Sequence, residues 1–195
     1  MWALDPIDGM KGFLRSEQYA VCLALLVDTR VEPGVMGCPN LPVSAADPSG
    51  PRGCIFVTVC GQALEGARMK LTIATFTPET LNFLESVEKA HTKLRFNQHV
   101  GQVLGMTRAP TRMDSQAKYC SLARGMGAWT GYREKIWDYV AGAILIEAAG
   151  GVISDRRLGR TLGENYGVIA SGKDVHPKVI AAIKQAKLQE GQSQL

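Results

Sequence analysis

The sequence predicts an α/β fold, with α+β as the neighbouring alternative. Three observations carry this. The first part of the chain is built of short β-branched and alternating runs separated by Gly, Pro and Asp turns. The second part alternates helical i, i+3, i+4 patterns with short apolar strands. The composition is globular, 46% apolar and 21% charged.

The elements follow in order. Trp2-Ala3-Leu4 reads as a buried entry strand ahead of a sharp turn. Tyr19–Val27 and Val31–Gly37 flank Asp28-Thr29-Arg30 and read as a hairpin. The tract from Pro39 to Arg52, rich in Pro, Gly, Ser and Asp, reads as a surface loop. Gly53–Cys60 is a β-branched run and Lys70–Thr75 alternates, so both read as strands. Thr80–Val87 fits helix by composition, but Leu81, Phe83 and Glu85 alternate as in a strand.

Helices are expected from Thr92 to Leu104 and from Ser115, with Ser as N-cap. A third begins at Ile136, where Trp137, Val140, Ala141, Ile144, Leu145 and Ala148 make an apolar face that Gly150-Gly151 ends. Strands follow at Val152–Ser154 and Gly167–Ala170. A last helix runs from Pro177 to about Gln189 with lysines 178, 184 and 187 on its polar side.

Composition excludes several function classes. The net charge of +4 is mild and the basic residues are scattered, so no nucleic-acid polymer is the expected partner. The longest uncharged apolar stretch, Tyr19 to Val27, is far short of the ~20 residues a membrane helix needs. The N-terminus has no basic, signal-like start. Five cysteines without a C-x-x-C pair fit reduced thiols packed as small apolar residues, which gives a cytoplasmic expectation.

Asp5-Pro6-Ile7-Asp8-Gly9 is the first chemically informative segment. Pro6 fixes one dihedral and removes a donor, and Gly9 permits a positive φ. Such a turn can aim Asp5, the Ile7 carbonyl and Asp8 at one point, an oxygen set that suits Mg²⁺. An EF-hand is excluded, because Leu4 and Pro6 would occupy ligand positions. On its own the segment fits a solvated Asx turn as well as a metal turn. Asp138, at the start of the Ile136 helix, fits either a helix-terminal charge or a third ligand.

Further segments narrow the choice. W-x-L-D-P-I-D-G, followed about 130 residues later by I-W-D-x-x-A-G, resembles the signature pair of the inositol monophosphatase-like, Mg²⁺-dependent phosphatases. Residues 11–15 (KGFLR), 37–41 (GCPNL), 85–91 (ESVEKAH), 114–119 (DSQAKY) and 132–138 (YREKIWD) together resemble the 3′(2′),5′-bisphosphate nucleotidases of that superfamily. The resemblance covers nearly the whole chain.

The resemblance implies a layered α-β-α-β-α sandwich, incomplete at its N-terminus, with residues 1–78 in a first domain and 79–195 in a second. It implies a Mg²⁺-dependent, lithium-sensitive phosphatase that removes the 3′-phosphate of 3′-phosphoadenosine 5′-phosphate, a by-product of sulfate assimilation. An inositol polyphosphate 1-phosphatase and a non-catalytic paralogue are the alternatives. Asp5, the Ile7 carbonyl, Asp8 and Asp138 correspond to metal ligands, and His91, Ser115, Lys118 and Asp138 to substrate contacts. Read without the resemblance, His91, His99 and His176 are surface histidines and Lys118 a solvated lysine, while Trp137 and Tyr119 belong to the core. Ser115 and Lys118, three apart, are expected on one helix face.

The chain also departs from the family pattern. Met10 stands where the family has a threonine that orients the attacking water. The family's upstream glutamate ligand and water-activating aspartate have no counterpart before Leu4. Gly125–Gly131 stands in place of a strand with a substrate-contacting arginine, and residues 156–159 replace a Pro-Leu-Asp-Phe-like stretch. These departures imply slow turnover, and Met10→Thr alone is not expected to restore it.

Overall fold

The computed structural model describes residues 1–28, 30–59, 61–66, 69–73, 75–77, 79–87, 94–130, 135–155 and 167–192. The first sheet is an antiparallel meander of β1 (Trp2–Asp8), β2 (Ala20–Val27), β3 (Arg30–Pro42), β4 (Arg52–Val59), β5 (Gln62–Glu65) and β6 (Met69–Lys70), in sequence order. The second has the order β10-β11-β9-β7-β8, made of β7 (Phe83–Glu85), β8 (Thr111–Arg112), β9 (Ala128–Thr130), β10 (Gly151–Asp155) and β11 (Val168–Gly172). There β7 runs parallel to β8 and β9, while β11 is antiparallel to β9 and β10.

Two helices, α3 (Ala117–Ala123) and α4 (Ile136–Ala148), lie between the sheets. Their apolar residues join one core with the inward faces of both sheets, from Cys22, Met36 and Phe56 to Leu84, Val168 and Ala170. Strand residues facing α4 are small, and a Cβ added at Gly34 would stand 3.0 Å from the Ile144 side chain. Gly142 of α4 likewise admits the Tyr119 ring. On the far side of the second sheet, α2 (Leu94–Val103) and α5 (His176–Gln192) pack together over Phe83 and Ile169. The layers are therefore β-α-β-α. A short helix, α1 (Met10–Leu14), follows β1 directly. No helix among the described residues is long and apolar enough to cross a membrane.

Several expectations are corrected. The entry strand is not buried, because β1 is an edge strand that alternates: Ala3 points inward, whereas Trp2 and Leu4 are 61% and 54% exposed. The loop expected over 39–52 is shorter. β3 runs on to Pro42 across an irregular register, and Val43 N–H still bonds the Pro51 carbonyl. Of 70–75 only Lys70 is in a strand, since Ile73 N–H turns to the Ala149 carbonyl instead. The segment from 80 to 87 resolves as the strand β7.

The strands β5 and β8 are too short to show a pattern. His176 is not a surface residue but lies buried between the hydroxyls of Ser154 (2.9 Å) and Ser171 (2.7 Å). Trp137 is exposed because it lies on the first turn of α4, ahead of the core-facing Val140, Ala141 and Leu145. Cys22, Cys38, Cys54 and Cys120 are buried free thiols, as expected; Cys60 and the start of the helix at Thr92 lie outside the described residues.

Candidate metal centre

The end of β1 is shaped by three local features. The β1–β2 pairing is broken between Asp5 and Asp8, so Pro6 and Ile7 leave the ladder, where a missing donor costs nothing. Gly9 then takes φ +84°, in the left-handed region. A Cβ there would also lie 2.7 Å from the Ser115 Cβ, so glycine lets the turn close on the segment before α3.

That contact seats Asp8 at the start of α3. Its Oδ2 accepts the Gln116 N–H, one of the donors a helix N-terminus leaves open. Gln116 is the N-cap residue, so α3 begins two residues after the predicted Ser115. Ser115 itself has φ +68° and precedes the helix; its Oγ accepts the Ala117 N–H at 3.1 Å. Ser115 and Lys118 consequently do not share a helix face as expected.

Asp138 arrives from α4. It is the third residue of that helix, and its Oδ2 accepts the Lys135 N–H at 2.6 Å, the reciprocal half of a capping box. The two sequence readings of Asp138, helix-terminal acid and cluster member, therefore coexist. Asp5, Asp8 and Asp138 each offer an oxygen within 4.8 Å of the others, and all three are partly buried.

The electrostatics follow from this crowding. Burial, with the Asp138 charge added, raises the Asp5 pKa against the opposing Ile7 N–H bond. Asp8 is pushed up to about 6, chiefly by burial. The Gln116 N–H and the Lys118 charge pull it back, while Asp5 and Asp138 add to the rise. Hard divalent cations favour such a set of clustered carboxylate oxygens, so the donors present fit Mg²⁺.

The other predicted residues divide. Lys118 is 6% exposed rather than solvated; its Nζ lies 3.4 Å from the Met113 carbonyl and its charge acts on Asp8. Met10 is the first residue of α1 and 69% exposed. Ile7 lies between the two carboxylates of the turn, with its N–H bonded to Asp5. His91 lies outside the described residues.

Sequence reasoning missed two supports. The buried Asp114 accepts from Arg15, from Ser86 Oγ (3.2 Å) and from Val87 N–H (3.2 Å), tying α1 and the end of β7 to the segment before α3. The buried Gln116 donates from Nε2 to the Trp137 carbonyl at 2.9 Å. Both stand in the D-S-Q-A-K-Y segment, but their partners are too distant in sequence for spacing to reveal them.

Comparison with known proteins agrees with this arrangement. Residues 1–188 match the profile described as the inositol monophosphatase family. The chain is 41% identical over 207 residues to the 3′(2′),5′-bisphosphate nucleotidase of Schizosaccharomyces pombe, covering 93% of this chain and 58% of that protein. It is 40% identical over 220 residues to the enzyme of the same name from Emericella nidulans, covering 95% and 62%. Among solved structures, the IMPase of Thermotoga maritima aligns with a TM-score of 0.75 at 18% identity, over 96% of this chain and 70% of that one. The extragenic suppressor protein suhB of Bartonella henselae aligns with a TM-score of 0.75 at 20% identity, over 94% and 72%. The chain thus spans about three-fifths of the length of these nucleotidase relatives.

Proposed function

We propose, from the premise that the chain belongs to the inositol monophosphatase family, that its acidic cluster serves Mg²⁺-dependent removal of the 3′-phosphate from 3′-phosphoadenosine 5′-phosphate. The observation that carries this is the meeting of Asp5, Asp8 and Asp138 across 130 residues of sequence. The names and identities of the bisphosphate nucleotidase relatives support the choice of substrate over an inositol phosphate. The division at 78/79 then places Asp5 and Asp8 in one domain and Ser115, Lys118 and Asp138 in the other, with the site across their junction.

Asp5, Asp8, Asp138 and the Ile7 carbonyl would hold the cation. When bound, Mg²⁺ supplies charge neutralisation for a phosphate and lowers the pKa of a coordinated water. Lys118 contributes a fixed positive charge beside Asp8, and the Ser115 hydroxyl lies at the mouth of the same turn. His91 is assigned to the nucleotide by resemblance. A small-molecule substrate in the sulfate-assimilation route and a cytoplasmic location complete this reading.

A second reading, a non-catalytic nucleotide or metal binder, is favoured by Met10. Its thioether cannot position a water as a threonine hydroxyl does. Phosphate release from 3′-phosphoadenosine 5′-phosphate, with Mg²⁺ and with EDTA, tests the proposal. Slow, Mg²⁺-dependent release is expected; binding without any release would support the second reading instead.

A further inference from the structure

We infer that Gln116 is a positioning residue that sets the spacing between the two halves of the acidic cluster. The inference rests on the cluster being a metal site. Asp8 is carried by the first sheet and Asp138 by α4, and no covalent connection shorter than 130 residues relates them. Gln116 bonds to both sides. Its backbone N–H donates to Asp8 Oδ2, and its side-chain Nε2 donates to the carbonyl of Trp137, the residue before Asp138.

The geometry suits that role. Gln116 is the N-cap of α3, so its N–H direction is fixed by the helix. Its side chain is buried, which keeps water from competing for the Trp137 carbonyl. The amide orientation follows from chemistry, because a flipped amide would set oxygen against the Trp137 carbonyl oxygen. Gln116 Oε1, by contrast, has no protein partner among the described residues. The side chain is therefore not a well-satisfied structural amide: one end makes the bond to α4 and the other makes none.

This asymmetry gives a test that separates positioning from stability. Gln116→Met keeps length and flexibility, keeps the backbone bond to Asp8, and removes both the Nε2 donor and the unpartnered oxygen. Loss of a residue that orients metal ligands weakens metal affinity by about 10–100-fold. Mg²⁺ titration calorimetry of wild type, Gln116→Met and Asp138→Asn, with thermal melts in EDTA, reads both quantities. The expected result is a Kd at least ~10-fold weaker in Gln116→Met, with the melting temperature in EDTA kept within a few degrees, on the order of 1 kcal/mol for a chain of this size.

A Gln116→Met Kd within twofold of wild type, with Asp138→Asn abolishing binding, would overturn the inference and leave the metal site standing. Wild type and Asp138→Asn binding alike, or neither binding, would overturn the metal site itself. If Gln116→Met does not fold, Gln116→Asn, one methylene too short to reach Trp137, takes its place with the same expected weakening. A loss of folded protein in both variants would overturn the inference in favour of a structural role.

Discussion

Replacing Asp8 by Asn should stabilise the metal-free protein while abolishing its response to Mg²⁺. The carboxyl is shifted from 3.8 to about 6, mainly by burial. A rise of about two pKa units corresponds to roughly 3 kcal/mol by which the ionised group disfavours the fold at pH 7. Asn keeps an oxygen for the Gln116 N–H and caps a helix as well as Asp. It loses its attraction to Lys118, so the net gain should be about 1–3 kcal/mol, or roughly 2–10 °C for a chain of this size.

The sign of the pH dependence checks the cause. A carboxyl with a raised folded pKa binds its proton more tightly in the folded state, so stability falls as pH rises from 3.8 to about 6. The advantage of Asp8→Asn should therefore shrink toward zero as pH is lowered through that window. Thermal melts by circular dichroism in EDTA, at several pH values, measure it directly. Saturating Mg²⁺, about 100-fold above its Kd, should add ~2.7 kcal/mol to wild type and nothing to the variant. A lower melting temperature for Asp8→Asn in EDTA at pH 7, or a gain independent of pH, would refute the reasoning.

Other outcomes follow from particular contacts. Gly9→Ala should cost at least ~2 kcal/mol and weaken Mg²⁺ binding, because φ +84° and a Cβ 2.7 Å from Ser115 both oppose it; denaturant melts and calorimetry check this. Arg124→Ala should destabilise by about 3–5 kcal/mol, since it strands buried Glu65 and frees the carbonyls of Pro42 and Val43. Urea unfolding reads that loss. Met10→Thr, at a 69% exposed position, should leave stability within ~0.5 kcal/mol in the same assay.

The fold was legible where local pattern and tertiary demand agreed. The hairpin of β2 and β3 and the apolar face of α4 announce themselves by period alone. Trp2 and Leu4 misled because an apolar run does not say whether a strand lies at an edge. Lys118 and His176 misled in the opposite sense. Burial of a polar side chain depends on partners such as Asp8, Ser154 and Ser171, which sequence spacing does not specify. The metal cluster was readable from its two motifs only jointly, since each alone fits a turn or a helix cap. Gln116 and Asp114 stayed hidden because their roles lie in hydrogen bonds to distant segments.

The most direct measurement is phosphate release from 3′-phosphoadenosine 5′-phosphate by wild type and Asp138→Asn, each with Mg²⁺ and with EDTA. Asp138 joins the cluster from the opposite end of the sequence, so its removal breaks the convergence on which the function rests. The account predicts release by wild type that requires Mg²⁺ and that Asp138→Asn lacks. Release that persists in EDTA, or that Asp138→Asn supports at the wild-type rate, would contradict it.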